Sequence, residues 1–223
     1  MRINKASNHS MRINEIFSSL FGEGLNIGLP CTFIRVQGCN LFQEGCCCVY
    51  CDTSFAQNPE EGTLMNVDEI VEKVEEYNNK WCTITGGEPL LIGKPLTELI
   101  FRLQQKGHLV QIETNCSIDP LKHSIANRFA VSPKLPSAGE GAVKMMHYEY
   151  IECLSKDDEV KFVISTMEDV KEAFRIIDEH PTDASIIFQP EGGIKGGWLF
   201  DCIKNVKREI RILPQLQKVF RIR

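Results

Sequence analysis

The sequence predicts an α/β fold, a partial TIM-like barrel with about six parallel strands and few helices. Three observations predict it. Segments rich in β-formers alternate with segments of helical periodicity, the pattern of a parallel sheet with right-handed crossovers. The chain has 223 residues, short of the roughly 250 that a full eight-unit barrel needs. Its polar and glycine-rich motifs follow strands, and in a parallel sheet those strand ends share the rim where ligands bind.

Residues 12–18 alternate apolar and polar positions through Ile13 and Ile16 and read as a strand or its approach. Phe21-Gly22-Glu23-Gly24 is a turn, and residues 31–36 form a short strand of β-formers. Residues 39–52 lack periodicity and read as a loop. Asn66 is an N-cap with Glu69 as its box partner, and Val67, Ile70, Val71, Val74 and Tyr77 share one helical face. A strand at 81–85 runs into Gly86-Gly87-Glu88-Pro89. Leu96, Leu99, Ile100 and Leu103 stripe the next helix, which Gly107 ends. Strands are expected at 109–113 and 129–131, with little room for a helix between them, and again at 160–165. Thr166 caps a helix carrying Val170, Phe174 and Ile177. A strand at 185–189 leads into Gln189-Pro190-Glu191-Gly192-Gly193; a helix over 197–208 and a strand at 210–213 follow.

Met1-Arg2-Ile3-Asn4 recurs as Met11-Arg12-Ile13-Asn14. Four residues are too few for a structural repeat, so residues 1–10 read as a dispensable extension and 11–223 as one core domain. Hydrophobic residues make up 43% and charged residues 25%, with a net charge of −5, ordinary for a globular protein. That charge gives no electrostatic support to a nucleic-acid partner. No apolar run is long enough to cross a bilayer, and no basic-then-apolar leader opens the chain. The ten cysteines are not spread as a disulfide framework. Four of them fall between Cys46 and Cys51, which suits a metal site in the reducing cytoplasm.

Within that loop Cys48 and Cys51 form a C-x2-C pair, and eight residues separate Cys39 from Cys48. Thiolates suit zinc or iron–sulfur clusters. A structural zinc site closes four ligands, often as two spaced pairs, and a second C-x2-C pair is absent. Three cysteines would leave one iron of a 4Fe–4S cluster open to the amino and carboxylate groups of S-adenosylmethionine (SAM). Electron transfer into the sulfonium would then yield methionine and a 5′-deoxyadenosyl radical, chemistry that belongs to the cofactors. Cys46 or Cys47 could replace Cys48, but only Cys48 keeps the two-residue gap to Cys51.

The motifs occur in a telling order. Gly22-Glu23-Gly24, Gly28-x-Pro30, Phe33-Ile34-Arg35, Gly38-Cys39-Asn40-Leu41 and Cys51-Asp52-Thr53 come first. Thr85-Gly86-Gly87-Glu88-Pro89, Glu113-Thr114-Asn115, Ser132-Pro133-Lys134, Gln189-Pro190 and Leu213-Pro214-Gln215 follow. From about Glu15 to the C-terminus the chain resembles 7-carboxy-7-deazaguanine synthases, radical SAM enzymes of queuosine-type 7-deazapurine biosynthesis. The resemblance implies the radical SAM type of partial barrel. It implies ring contraction of 6-carboxy-5,6,7,8-tetrahydropterin to 7-carboxy-7-deazaguanine with loss of ammonia, a lyase reaction begun by hydrogen abstraction from C6. It also implies a homodimer, a flavodoxin- or ferredoxin-like electron donor, and Mg2+ held by Thr53 and substrate oxygens.

By the same resemblance Leu20, Phe21, Gly22, Glu23, Arg35, Thr85, Gln217 and the terminal Arg223 face the pterin. Arg35 suits its carboxylate because a guanidinium donates two parallel hydrogen bonds. Tyr50, Cys51, Asp52, Gly87, Glu88, Glu113, Ser132, Pro133, Lys134, Gln189, Pro190, Glu191 and Gly192 fall to SAM, with Glu88 and Glu113 either binding it or bracing loops. The chain departs from the family at four points: the eight-residue cysteine gap where three is usual, Phe21 for glutamine, Cys116 for glycine and Gln217 for histidine. Two other readings stand beside this one. The first is a radical SAM paralogue or glycyl-radical activase; the second is a zinc-binding module without catalysis.

Overall fold

A computed structural model describes residues 9–123 and 125–222. The strands are β1 (Ser10–Leu20), β2 (Pro30–Val36), β3 (Thr63–Asn66), β4 (Trp81–Gly86), β5 (Leu109–Thr114), β6 (Arg128–Val131), β7 (Glu159–Ile164), β8 (Ser185–Pro190) and β9 (Ile210–Ile212). They form one open sheet in the order β3-β1-β2-β4-β5-β6-β7-β8-β9. The seven strands β2 and β4 to β9 run parallel, one more than the sequence suggests. β1 pairs antiparallel with both β2 and β3.

The helices are α1 (Asn40–Gln43), α2 (Val67–Glu75), α3 (Lys94–Gln105), α4 (Glu140–Lys144), α5 (Met167–Glu179), α6 (Gly197–Ile203) and α7 (Leu216–Phe220). Both expected caps form: Asn66 boxes with Glu69 and Thr166 with Asp169. The single helix expected over 197–208 stops at Ile203. The short β3, α1, α4 and α7 carry too few residues for a periodic signal. β1 begins at Ser10, the last residue assigned to the extension, and the His9 carbonyl accepts from Val67. Residues 1–8 lie outside the described residues.

Alternation along each parallel strand divides the molecule into two faces. Ile34, Ile84, Ile112, Val131, Phe162 and Phe188 join the helix residues Ile70, Leu99, Leu103, Val170 and Ile176 in one apolar cluster. The residues between them on the strands face the concave side. There stand Arg35, Thr85, Glu113, Ala130, Lys161 and Gln189. Among the described residues no helix is long and apolar enough to cross a membrane.

Candidate active site

The concave face encloses a cavity of about 290 Å³ at the C-terminal ends of the parallel strands. The cysteine loop forms one part of its wall. Cys39, Cys48 and Cys51 all line it, with Tyr50, Asp52 and Thr53. Cys46 and Cys47 do not; Cys46 packs against Gly141, where a Cβ would lie 2.6 Å from its own Cβ, and Cys47 is exposed. Backbone bonds fix the loop: Gly38 N donates to Ala56 O at 2.9 Å, Cys39 N to Gln57 O at 3.0 Å and Val49 N to Ala138 O at 3.0 Å. Asn40 Nδ2 donates to Ser117 Oγ at 2.7 Å and accepts through Oδ1 from Asn115 Nδ2 at 3.1 Å, tying the loop to the end of β5. Burial pushes the Cys39 thiol up to about 11. It also raises Cys48, against the pull of Lys134. Ligation of iron, which takes the thiolate, would offset that cost.

A charged group occupies another part. Lys161 Nζ is ion-paired with Glu23, and Gln215 Nε2 donates to Glu23 Oε1 at 2.6 Å and to Asp52 Oδ2 at 3.5 Å. Burial alone would raise the Glu23 carboxyl, but Lys161 and the amide donors outweigh it and hold Glu23 near 2. Between these parts Arg35 Nε donates to Glu15 Oε1 at 2.9 Å, with its guanidinium over the rings of Phe17 and Phe55. Thr85 Oγ1 donates to Glu113 Oε2 at 2.6 Å.

The donor set fits an iron–sulfur cluster and SAM. All ten cysteines are free of disulfides, and three meet one cavity. Among the described residues no three His, Cys, Asp or Glu side chains are already drawn together closely enough to hold a metal ion. Tyr50 Oη, Gln189 Oε1, Gln215 Oε1 and Gln217 Oε1 are buried without a hydrogen-bond partner, and all four residues line the cavity. Buried polar atoms are rarely left so.

Residues 33–182 match the Radical SAM superfamily. The 7-carboxy-7-deazaguanine synthase of Methanospirillum hungatei JF-1 is 39% identical over 187 residues, 83% of this chain and 74% of that one. That of Clostridium acetobutylicum is also 39% identical, over 218 residues, 93% of this chain and 95% of that one. The chain belongs to the 7-carboxy-7-deazaguanine synthase family. The crystal structure of QueE from Escherichia coli matches with a TM-score of 0.64 at 22% identity, over 91% of this chain and 92% of that one; this speaks for the fold alone. The activase and zinc-module readings gain nothing from these comparisons.

The synthase-family motifs do not all arrive at the cavity. Phe21, Gly22, Glu23, Arg35, Thr85 and Gln217 line it, as do Tyr50, Cys51, Asp52, Thr53, Gly87, Glu113, Ser132, Lys134 and Gln189. Leu20, Glu88, Pro133, Pro190, Glu191 and Gly192 do not. Arg223 lies outside the described residues. Glu88 is a brace: its buried carboxylate accepts from Leu90 N at 3.0 Å, Thr114 Oγ1 at 2.8 Å and Asn115 N at 2.7 Å. Pro190 ends β8, and Glu191 and Gly192 are exposed beyond it. Gly87 also has a packing reason to be glycine. A Cβ there would sit 1.9 Å from the Gly38 carbonyl oxygen, so the ends of β2 and β4 could not meet.

Two departures from the family pattern also find a place. Cys116 takes φ +73°, a conformation glycine adopts without penalty and other residues pay about 1 kcal/mol to reach. Gln217 Oε1 occupies the space beside the missing side chain of Gly22.

Phe17, Phe33, Gln57, Lys161 and Gln215 line the cavity without having been singled out for a role. Lys161 left a signal: with Glu159 it interrupts the apolar positions of β7 at every second residue. Phe17 stacks on Phe33, ring centroids 5.2 Å apart; in the sequence both read as ordinary strand residues.

Proposed function

We propose that this radical SAM enzyme contracts 6-carboxy-5,6,7,8-tetrahydropterin to 7-carboxy-7-deazaguanine with loss of ammonia, a carbon–nitrogen lyase reaction. The observation that carries the reading is the meeting of Cys39, Cys48 and Cys51 with Arg35, Thr85 and Glu23 around one cavity, in a chain 39% identical to synthases of that name.

Cys39, Cys48 and Cys51 would hold the 4Fe–4S cluster. The cluster and SAM, when bound, supply one-electron chemistry that removes a hydrogen atom from the substrate. Tyr50, Ser132, Lys134 and Gln189 would orient SAM. Arg35 offers its fork to the pterin carboxylate, stiffened by Glu15 and two aromatic rings. Phe17, Phe21 and Phe33 present an apolar wall to the pterin ring. Thr53 would give Mg2+ the hard oxygen ligand it prefers. Gln217 would meet the pterin beside that wall. The enzyme would work in the cytoplasm as a homodimer, reduced by a flavodoxin- or ferredoxin-like donor; ten unpaired cysteines suit that compartment.

Anaerobic reconstitution followed by incubation with the carboxytetrahydropterin, SAM, a reductant and magnesium tests the reading. The expected result is 7-carboxy-7-deazaguanine with release of ammonia. Reductive cleavage of SAM with the pterin left intact would overturn the substrate assignment and keep the radical SAM chemistry.

A further inference from the structure

Lys161 is a charged residue at an inward position of a central strand. Glu159, Lys161 and Val163 alternate with Val160, Phe162 and Ile164 of the apolar cluster. Its side chain keeps 10% exposure and that of its partner Glu23 keeps 18%. A cation so placed is costly unless answered by opposite charge and hydrogen bonds. Glu23 answers it directly, and Glu113 and Glu159 add their charge from nearby. An ammonium among three carboxylates keeps its proton, so it is a poor general base. Its use is therefore positional.

The other contacts of Glu23 say what is positioned. Glu23 Oε1 accepts from Gln215 at 2.6 Å and from Gln217 at 3.4 Å. The same tail segment is stitched by its backbone, Gln215 N to Gly193 O at 2.8 Å and Leu216 N to Gly22 O at 2.7 Å. α7, which continues the segment, buries none of its own residues. Val219 and Phe220 are exposed. A segment without an apolar anchor depends on its polar attachments, and these go to residues 22–23 and 193, with a longer bond from Gln215 to Asp52.

We propose that Lys161 is a positioning residue: by fixing the Glu23 carboxylate it fastens the C-terminal strap, residues 215–220, over the substrate end of the cavity. That this end receives the substrate rests on the function proposed above; the fastening does not.

Hydrogen exchange read by mass spectrometry on the reconstituted enzyme, without pterin, tests the fastening. In Lys161→Met the peptide holding Gln215 and Leu216 should exchange at least about tenfold faster, while peptides of β5 and β8 stay as in the parent. Lys161→Arg, which keeps the charge, should restore most of the protection. Lys161→Met combined with Glu23→Gln should exchange no faster than Lys161→Met alone, because the lysine acts through the glutamate. With pterin present, KM should rise in Lys161→Met by a larger factor than kcat falls. Parental exchange of the strap in Lys161→Met overturns the proposal. So does equal loosening in Lys161→Arg, multiplication of the two effects in the double variant, or loosening that spreads to β5 and β8. A strap that loosens as expected in a chain that never consumes the pterin would sink the substrate reading alone.

Discussion

The cysteine loop and the strap end of the cavity are built by opposite means. The cysteine loop is one run of sequence, and its three cavity thiols lie within residues 39–51. The strap end gathers Glu23, Lys161, Gln215 and Gln217, whose contacts with Glu23 span 138, 192 and 194 positions. The first is a local chemical motif hung on backbone bonds. The second exists only when both ends of the chain come together on the sheet. The cysteine loop should therefore fail through loss of a ligand, and the strap end through loss of a contact.

The largest effect is expected at the loop. Cys48→Ala should abolish iron uptake and SAM cleavage, and Cys46→Ala should retain about four irons per chain. Iron analysis and the visible spectrum decide it, and the reverse result would reassign the ligand. Gly87→Ala should come next. Its Cβ meets the Gly38 carbonyl oxygen at 1.9 Å, and backbone cannot step aside, so unfolding free energy should fall by about 3 kcal/mol. At the strap end, Gly22→Ala meets only the tip of Gln217, at 1.7 Å. A flexible side chain can move, so the change in chemical denaturation should stay below about 1 kcal/mol. Equal losses at the two glycines would erase the distinction.

Arg35→Lys keeps the charge but loses the fork, and kcat/KM for the pterin should fall by about tenfold to a hundredfold. Gln215→Ala removes a 2.6 Å bond to a carboxylate and should cost about 2 kcal/mol. Gln217→Ala removes one of 3.4 Å and should cost less than about 1 kcal/mol. A Gln217 variant that loosens the strap more than a Gln215 variant would reverse this ranking. The smallest effect is with pH. Glu23 is held near 2, below its ordinary 4.5. Its stabilisation is therefore complete above 4.5 and is lost as pH falls toward 2. Strap protection, corrected for the intrinsic exchange rate, should be flat from about pH 5 to about pH 9 and decline only in acid.

Much of the fold was legible because one face of the sheet is apolar. Alternation with the helix stripes at Ile70, Leu99 and Val170 located the strands, and two capping residues located helix starts. The antiparallel β1–β3 edge was not legible, because four residues at Thr63–Asn66 carry no periodicity and their pairing partner is set by geometry. The site was legible where chemistry is local: the C-x2-C pair, Cys51-Asp52-Thr53 and the glycines. Glu88 and Gly87 were visible as motif residues, yet the reasons for them lie across the fold, in Thr114 and Asn115 for one and Gly38 for the other.

The amino-acid order by itself determined that three thiols would stand on one loop at the rim of a parallel sheet. Side-chain periodicity and ligand spacing are properties of neighbouring residues. Only the tertiary structure decided that Cys46 turns toward Gly141 while Cys48 faces the cavity, and that Lys161 meets Glu23 beneath a tail from the far end of the chain. Those choices depend on which distant segments the fold brings side by side, which no stretch of a few residues encodes.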